Sequence, residues 1–476
     1  MAIWLSVVGL IIAIGGLIGN QAGPEFNNLI LAILTLNIGI SLYFALRSRK
    51  WAIDRAEGML LLVIIWTLLP VPIALSLVQS TGLSLIDGYF EATSALTTTG
   101  ASVFSQFDNL PSSALYVRGL TQWLGGLLTL LGVVVILAPT GLGGLPTRQV
   151  ALINRENSFT NDNLRHLFVM ITSGYLALTV ACFACLVATQ VRPESAFLIT
   201  LSTVSSGGIV SGDTPFSEIG NGLAPFVLIV FMTLAGTSIL WQRLILSWRV
   251  DYLVQHREAY YYFGVMLALG CAFTMTFFAK AGSSAVLSPL DAIREGFFTA
   301  ASLVSTTGFE IRNSSFTVLP AAIVLAIVLV GGCTFSTAGG ISFYRIGGMV
   351  SHAINDLNQL IYPNSVSRSQ FGSQHYDTAL IKGIWTYFFV LTVVMMVGTF
   401  FLATRLNDFE AALIASVAAL SNIGGFYSTG WNETGQWVTF GQMDGASKAT
   451  LSALMILGRL HVLALLAAFN RSYWLR

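Results

Sequence analysis

The chain has 476 residues, of which 55% are hydrophobic and 9% charged, and its formal net charge is +1. A soluble domain carries roughly 25% charged residues, so this composition excludes one, and a near-neutral chain lacks the basic face that nucleic acid binding requires. A mean hydropathy of +0.75, with many uncharged apolar runs longer than the roughly 20 residues that cross a bilayer, makes the chain integral to a membrane.

Two apolar runs, 3–19 and 28–46, open the chain and read as a helical hairpin occupying residues 1–50. No Lys or Arg precedes Arg47, so the first run lacks the basic flank of a cleaved signal and is expected to persist. A basic loop, RSRKWAIDR (47–55), leads into four tandem units. Repeat 1 (51–145) has an apolar run at 59–79, a short segment at 87–100 and a second run at 119–140. Repeat 2 (146–250) has runs at 167–190 and 223–242 around a short segment at 194–207. Repeat 3 (251–365) has a run at 260–279, a segment at 291–308 and a long run at 318–348. Repeat 4 (366–476) has runs at 383–404 and 450–469 around a segment at 408–424. The expected fold is therefore an all-α polytopic membrane protein with about ten full spans and four half-length segments. The unit is roughly a hundred residues long, far beyond a solenoid repeat. Cys182 and Cys185 form a CxxC inside an apolar run, which reads as helix packing rather than a redox or zinc site.

The short segments align by position. Asp87, Glu194 and Glu295 lie 13 residues before Gly100, Gly207 and Gly308, and Glu410 lies 14 before Gly424. Each begins with an acid, runs through apolar and small residues too few to span, and ends in hydroxyl or amide residues followed by Gly. This is the pattern of a re-entrant pore helix. The acid suits the positive N-terminal end of the helix dipole, and the C-terminal end favours a cation. Gly lets the backbone leave helical geometry there, which at that depth is tolerated only where the chain is buried or lines a water-filled path. An ordinary helix C-cap would account for any one copy; four copies in register on one side of the membrane point to rings of carbonyl oxygens around a cation path.

Loop charge sets the orientation. The loops after the hairpin and after each repeat carry most of the 23 Lys and Arg, including Arg47, Lys50, Arg148, Arg165, Arg249, Arg345 and Lys382. The opposite loops hold few, among them Arg118, Arg192 and Arg312. Both termini are expected in the cytoplasm, with the four short segments entering from outside.

Two further stretches carry chemistry. GGCTFSTAGG (331–340) places Gly331, Gly332, Thr334, Ser336, Thr337, Gly339 and Gly340 inside an apolar run. Each Gly there costs about 1 kcal/mol relative to Ala in a helix interior, so a loop just below the filter that obstructs the path is expected, against a close helix-packing seam. LAGTSI (234–239) and GLGGLP (141–146) read as packing and loop entry. The last run holds Lys448 and Arg459, eleven positions apart, so they share a helix face. Ionisable groups in a membrane usually face a path or a partner, and both are read as setting the electrostatics of the path.

The stretches TTTGAS (97–102), TVSSGG (203–208), STTGF (305–309), SNIGG (421–425) and GRL (458–460) resemble the TrkH/KtrB/HKT superfamily of potassium transporters, from about residue 50 to the end. The extra N-terminal hairpin makes the chain look more like the TrkH branch. The resemblance implies four membrane helix–pore loop–membrane helix units around a pseudo-fourfold pore. It implies a K⁺ filter at Thr98, Thr99, Gly100, Ser205, Ser206, Gly207, Thr306, Thr307, Gly308, Asn422, Ile423 and Gly424, and a gate loop at 331–340. K⁺ is then the transported ion, held by filter carbonyls, with no cofactor bound by the chain and no enzymatic activity. Gly at all four filter positions implies potassium rather than sodium. The family often continues GRLE where this chain has His461, which leaves the partner of Arg459 open. The resemblance further implies a homodimer in the cytoplasmic membrane and a separate nucleotide-binding regulatory subunit of the TrkA type. A secondary transporter with discontinuous helices is the competing class, disfavoured because every unit keeps one orientation; poorly selective K⁺/Na⁺ translocation is another alternative.

Overall fold

The structure, a computed structural model, describes residues 1–19, 24–47, 55–107, 109–138, 142–146, 161–209, 216–246, 257–281, 289–312, 316–362, 370–371, 374–427, 431, 437–460 and 462. His461 and most of the loops read above as basic lie outside the described residues. The described residues are mostly helical, with one short antiparallel hairpin of β1 (Gln370–Phe371) and β2 (Gln374–His375) among them. α1 (Ala2–Gly19) and α2 (Pro24–Arg47) pair as the expected hairpin and lie against repeat 1.

Each repeat opens with a crossing helix. In repeat 1 this is α3 (Arg55–Leu68) and α4 (Pro70–Thr81), one path interrupted at Leu69, because Pro70 has no N–H to continue the ladder. The others are α7 (Asn161–Ala188), α11 (Arg257–Ala281) and α15 (Thr378–Leu406). The half-length segments are α5 (Leu85–Leu96), α8 (Pro193–Val204), α12 (Pro289–Val304) and α16 (Phe409–Leu420). Three have twelve residues and α12 has sixteen, about 18 Å and 24 Å of helix, short of a hydrocarbon core about 30 Å thick. Their starts are set by local chemistry. Ser84 caps α5 and Asp408 caps α16 through backbone N–H groups, while α8 begins on Pro193 and α12 on Pro289, where Pro is compatible with the first helical position.

The closing helices differ from the sequence expectation. In repeat 1, α6 (Ser112–Leu131) continues through a π-helical turn at Gly132–Leu137. In repeat 2 the run breaks into α9 (Ala224–Ala235) and α10 (Ile239–Leu246). In repeat 3 it breaks into α13 (Ala321–Val330) and α14 (Phe343–Ile361), and repeat 4 ends with α17 (Gly445–Leu460). Among the described residues, six helices are long and apolar enough to cross a membrane. Of the roughly ten spans expected, the closing runs of repeats 2 and 3 are each split, α1 is slightly shorter than a span, and α17 is described only to Leu460.

The short helices and closing helices alternate in a closed ring. α5 packs on α6, α6 on α8, α8 on α9, α9 on α12, α12 on α13, α13 on α16, α16 on α17, and α17 returns to α5. Glycines on the closing helices allow the close approach. A Cβ on Gly125 of α6 would overlap the Leu96 carbonyl that ends α5, and one on Gly458 of α17 would overlap the Leu420 carbonyl that ends α16. Gly126 and Gly236 play matching parts: each leaves room for a tyrosine hydroxyl, of Tyr175 and Tyr262, beside Ser205 and Ser305.

Gly125→Ala is therefore expected to destabilise the protein by about 1–3 kcal/mol, the range for overpacking. Gly264, exposed on α11 with open space around it, provides the contrast, and Gly264→Ala should leave stability unchanged or raise it. Thermal unfolding of the two variants in detergent checks this.

Candidate functional site

All four short helices end in the same backbone device. The N–H of Thr99 donates to the Ser94 carbonyl at 2.8 Å, that of Gly207 to Ser202 at 2.9 Å, that of Thr307 to Ser302 at 2.9 Å and that of Ile423 to Ala418 at 2.8 Å. Inside each of these turns a second bond closes, from Thr98 to Ala95, Ser206 to Thr203, Thr306 to Leu303 and Asn422 to Ala419. This is the Schellman arrangement, in which one residue adopts left-handed geometry and normally is Gly. Here Thr98, Ser206, Thr306 and Asn422 sit at φ of 52°, 55°, 54° and 53°. A left-handed non-Gly residue costs of order 1–3 kcal/mol, so four equivalent exceptions call for a reason in their side chains.

The turns also fix the register. Gly100, Gly208 and Gly308, two residues after each left-handed residue, have φ of 81°, 70° and 78°. The counterpart of Gly100 in repeat 2 is thus Gly208, whereas the sequence reading placed Gly207 there. Gly207 occupies the position of Thr99, Thr307 and Ile423, and Ser205 is the helix cap equivalent to Thr97, Ser305 and Ser421. Counting from the acid failed because repeat 2 runs one residue longer between acid and turn, and its two consecutive glycines hid the shift. Gly424 falls in the expected place but opens a short 3-10 turn (Gly424–Phe426), with its N–H donating to the Thr99 carbonyl.

The four turns nest in a circle. A Cβ on Gly100 would overlap the Gly207 carbonyl oxygen, and one on Gly208 that of Thr307. One on Gly308 would press on Ile423 at 3.0 Å, and one on Gly424 would overlap the Ala101 backbone. Each turn therefore abuts the next in the order 1-2-3-4-1.

The side chains of the left-handed residues meet the loop between α13 and α14. Ser206 Oγ lies 2.8 Å from Thr337 Oγ1. Thr306 Oγ1 accepts from the Gly339 N–H at 2.8 Å. Thr98 Oγ1 accepts from Arg459 Nη2. Asn422 Nδ2 donates to Thr99 Oγ1 and to the Met455 carbonyl, both at 3.0 Å. Three of the four left-handed side chains thus hold the loop, directly or through Arg459, and the fourth holds the adjacent turn and α17. A glycine would supply none of these contacts.

The loop at 331–342 has the expected place and a defined shape. Its neck is closed by Ile341 N–H to Leu329 O and Ser342 N–H to Val330 O, both 2.9 Å, and Phe343 N–H to Gly332 O at 3.1 Å. Gly331 and Gly340 are left-handed at φ 69° and 85°, and a Cβ on Gly331 would overlap the Gly339 carbonyl. Thr334 Oγ1 donates to Ser342 Oγ at 3.1 Å, and Ser336 Oγ to the Cys333 carbonyl at 2.6 Å. Gly236, at the break between α9 and α10, accepts from the Cys333 N–H at 2.9 Å, and the Ile239 N–H donates to Phe335 O at 2.9 Å. The break at LAGTSI is therefore part of the loop's frame rather than a packing seam.

Arg459 is buried, and among the described residues no carboxylate pairs with it. Its Nε donates to the Thr97 carbonyl at 2.6 Å and its Nη1 to the Thr337 carbonyl at 2.7 Å. The guanidinium thus ties the negative C-terminal end of α5 to the tip of the loop. Lys448 does something different. Its ammonium pairs with Asp87 at the start of α5 and donates to the Gly441 carbonyl at 3.0 Å. About 16 Å of helix separates it from Arg459, so Lys448 belongs to the opposite end of the short helices.

Two groups at the base of the loop were not singled out in the sequence. The buried Glu258 carboxylate accepts from the Thr334 N–H at 2.6 Å and the Tyr344 N–H at 3.1 Å, pinning both limbs of the loop. Arg345, counted above as a loop cation, is fully buried: its Nε donates to the Gly143 carbonyl at 2.8 Å, its Nη1 to Ile341 O at 3.0 Å, and it stacks 4.0 Å over the Tyr387 ring. The only signal for either was a charge directly flanking an apolar run.

With this geometry in place, similarity to known proteins is informative. The family model described as TrkH, cation transport protein, matches residues 24–247 and 321–474. The Trk system potassium uptake protein TrkH of Escherichia coli (strain K12) is 27% identical, over 93% of this chain and 90% of the relative. TrkH of Vibrio parahaemolyticus is 26% identical, over 92% and 90%, and TrkG of Escherichia coli (strain K12) 25%, over 92% and 89%. The crystal structure of the Vibrio parahaemolyticus potassium transporter TrkH superposes with a TM-score of 0.85 at 23% identity, covering 99% of this chain and 98% of that one.

If the loop at 331–342 is a barrier, Glu258→Leu should loosen it at the base without touching the turns. Cation flux through the purified chain is expected to rise by about tenfold, the scale of losing charge-assisted hydrogen bonds. Flux measured in liposomes beside the unaltered chain checks this.

Proposed function

The chain belongs to the TrkH family of cation transport proteins, and on that premise we propose that it takes up potassium along the axis enclosed by its four helix–turn segments. It is a multi-pass potassium uptake protein of the Trk type. The observation that carries the path is the ring of four equivalent turns, each abutting the next. The filter positions are Thr98-Thr99-Gly100, Ser206-Gly207-Gly208, Thr306-Thr307-Gly308 and Asn422-Ile423-Gly424, with backbone carbonyls replacing the hydration shell of K⁺. Four short helices aimed at one centre by their C-terminal ends favour a cation there.

The loop at 331–342 acts as the gate. It lies against the turns through Thr337 and Gly339, and Arg459 clasps its tip. Opening requires these contacts and the Glu258 tether to part. The bias of Lys and Arg between the two sets of loops supports a cytoplasmic location for both termini and for the basic side. A homodimer is supported by α14, whose Val350, Ile354, Leu357 and Ile361 are exposed at helical spacing along one stripe. The basic segments are too short for a regulatory domain, which supports a separate cytosolic nucleotide-binding subunit of the TrkA type.

The test is rubidium uptake into liposomes holding the purified chain, with unlabelled K⁺ or Na⁺ as competitor. K⁺ is expected to compete far better than Na⁺, and Gly100→Ser or Gly208→Ser is expected to remove that preference. Absence of cation flux even when residues 331–340 are shortened would overturn the pore and leave a substrate-binding transporter.

A further inference from the structure

Outside the turns, repeat 1 carries a wholly buried ion pair beside the segment that leaves its turn. Glu91, one helical turn after Asp87 in α5, and Arg118 of α6 are both completely buried, with Arg118 Nε 3.1 Å from Glu91 Oε2. The pair does not stand alone. Glu91 Oε1 accepts from Ser102 Oγ at 2.6 Å and from the Val103 N–H at 2.5 Å. Ser102 Oγ in turn accepts from Arg118 Nη2 at 3.0 Å and from the Phe104 N–H at 3.1 Å. The guanidinium is further enclosed by the rings of Phe104 and Phe107, 5.4 and 5.2 Å from its centre. Ser102 and Val103 follow Gly100 after a single residue, and the carbonyl of that residue, Ala101, accepts from Ser94 Oγ at 2.6 Å.

Aligned by the turns, the positions equivalent to Glu91 are Ile199, Thr299 and Ala415. Repeat 3 also ties its exit segment to its short helix, through Arg312 Nε and Glu295 Oε1 at 2.8 Å, but Arg312 there is about half exposed, whereas both partners in repeat 1 are wholly buried. A buried ion pair is weak evidence for stability, since an apolar pair of similar volume is often as good, and what such a pair can supply is a fixed geometry for the groups bonded to it. Here those groups are the backbone and hydroxyl immediately beyond a filter position.

We propose that Glu91, with Arg118 and Ser102, is a positioning device that holds the outer end of the repeat 1 filter segment and thereby sets discrimination of K⁺ from Na⁺. This rests on the reading of the four turns as a filter. The carbonyls of Gly100 and Ala101 belong to a segment anchored on its helix side by Ser94 and on its outer side by Glu91. Releasing the outer anchor lets the segment relax toward the smaller ion. Because each turn abuts the next, the relaxation passes to repeats 2 and 4.

The test is the K⁺ against Na⁺ competition ratio in rubidium uptake for Glu91→Leu with Arg118→Met, for Ser102→Ala, and for Arg405→Gln as an exposed ion-pair control. The double variant removes both charges together, so no buried charge is left unpaired and the chain is expected to fold. Its competition ratio should fall by about tenfold, the scale of losing hydrogen bonds to a charged group, while total rubidium flux and thermal stability stay near those of the unaltered chain. Ser102→Ala should lower the ratio by less, and Arg405→Gln not at all. A double variant that unfolds at the same temperature as the unaltered chain and keeps its ratio overturns the proposal. If Glu91→Leu with Arg118→Met does not fold, an unchanged ratio in Ser102→Ala overturns it alone. Lack of any K⁺ preference in the unaltered chain overturns the filter reading and this inference with it.

Discussion

The left-handed turn at the end of each short helix is the constraint on which the rest depends. A helix that stops midway across a membrane leaves carbonyls without partners, and the Schellman bonds at Ser94, Ser202, Ser302 and Ala418 satisfy part of that need locally. The cheaper solution would place Gly at the left-handed position. This chain uses Thr98, Ser206, Thr306 and Asn422, accepting of order 1–3 kcal/mol at each, because a side chain there reaches the loop at 331–342 or α17. The same residue that turns the backbone therefore also connects the turn to what lies below it. The turns and the loop at 331–342 are thus joined by hydrogen bonds, directly at Ser206 and Thr306 and through Arg459 at Thr98.

Below the turns, the two broken closing helices complete one another. A break in an apolar helix frees backbone groups that lipid cannot satisfy. Gly236 and Ile239 at the repeat 2 break exchange hydrogen bonds with Cys333 and Phe335 of the repeat 3 loop, so neither break is tolerable without the other. The charged residues follow the same logic. Arg459 and Arg345 both donate to backbone carbonyls, at Thr97 and Thr337 for one and at Gly143 and Ile341 for the other, and Arg345 also interacts electrostatically with Glu258. Glu258 is the complement, a carboxylate held by backbone N–H groups. These three charges are met at least in part by irregular backbone, and the loop at 331–342 has some of its freed groups satisfied by them.

The four repeats share a backbone plan and divide the chemistry. Repeat 1 contributes the Glu91–Arg118 pair, repeat 2 the tandem glycines and a second break, repeat 3 the loop, and repeat 4 the arginine. Repeats 1 and 3 remain most alike at the turn itself, where Thr97 with Thr99 and Ser305 with Thr307 make the same hydroxyl contact at 2.8 and 2.7 Å. Fourfold arrangement is therefore a property of the backbone, while the side chains make each quadrant distinct.

Sequence alone determined the membrane class and located the half-length helices, the interruption at 331–340 and Arg459 as a charge inside an apolar run. Each of these rests on a local quantity: run length against bilayer thickness, the spacing of acid and glycine, or the cost of Gly and charge in an apolar run. What tertiary structure decided is everything that depends on which backbone faces which. The assignment of Gly208 rather than Gly207 needed the turn geometry, since counting from the acid assumes equal segment lengths. The carbonyl partners of Arg459, the pairing of Lys448 with Asp87, and the Glu258 tether join residues far apart in the chain. No spacing within one helix encodes contacts made between different repeats, because they exist only once the ring of eight helices has closed.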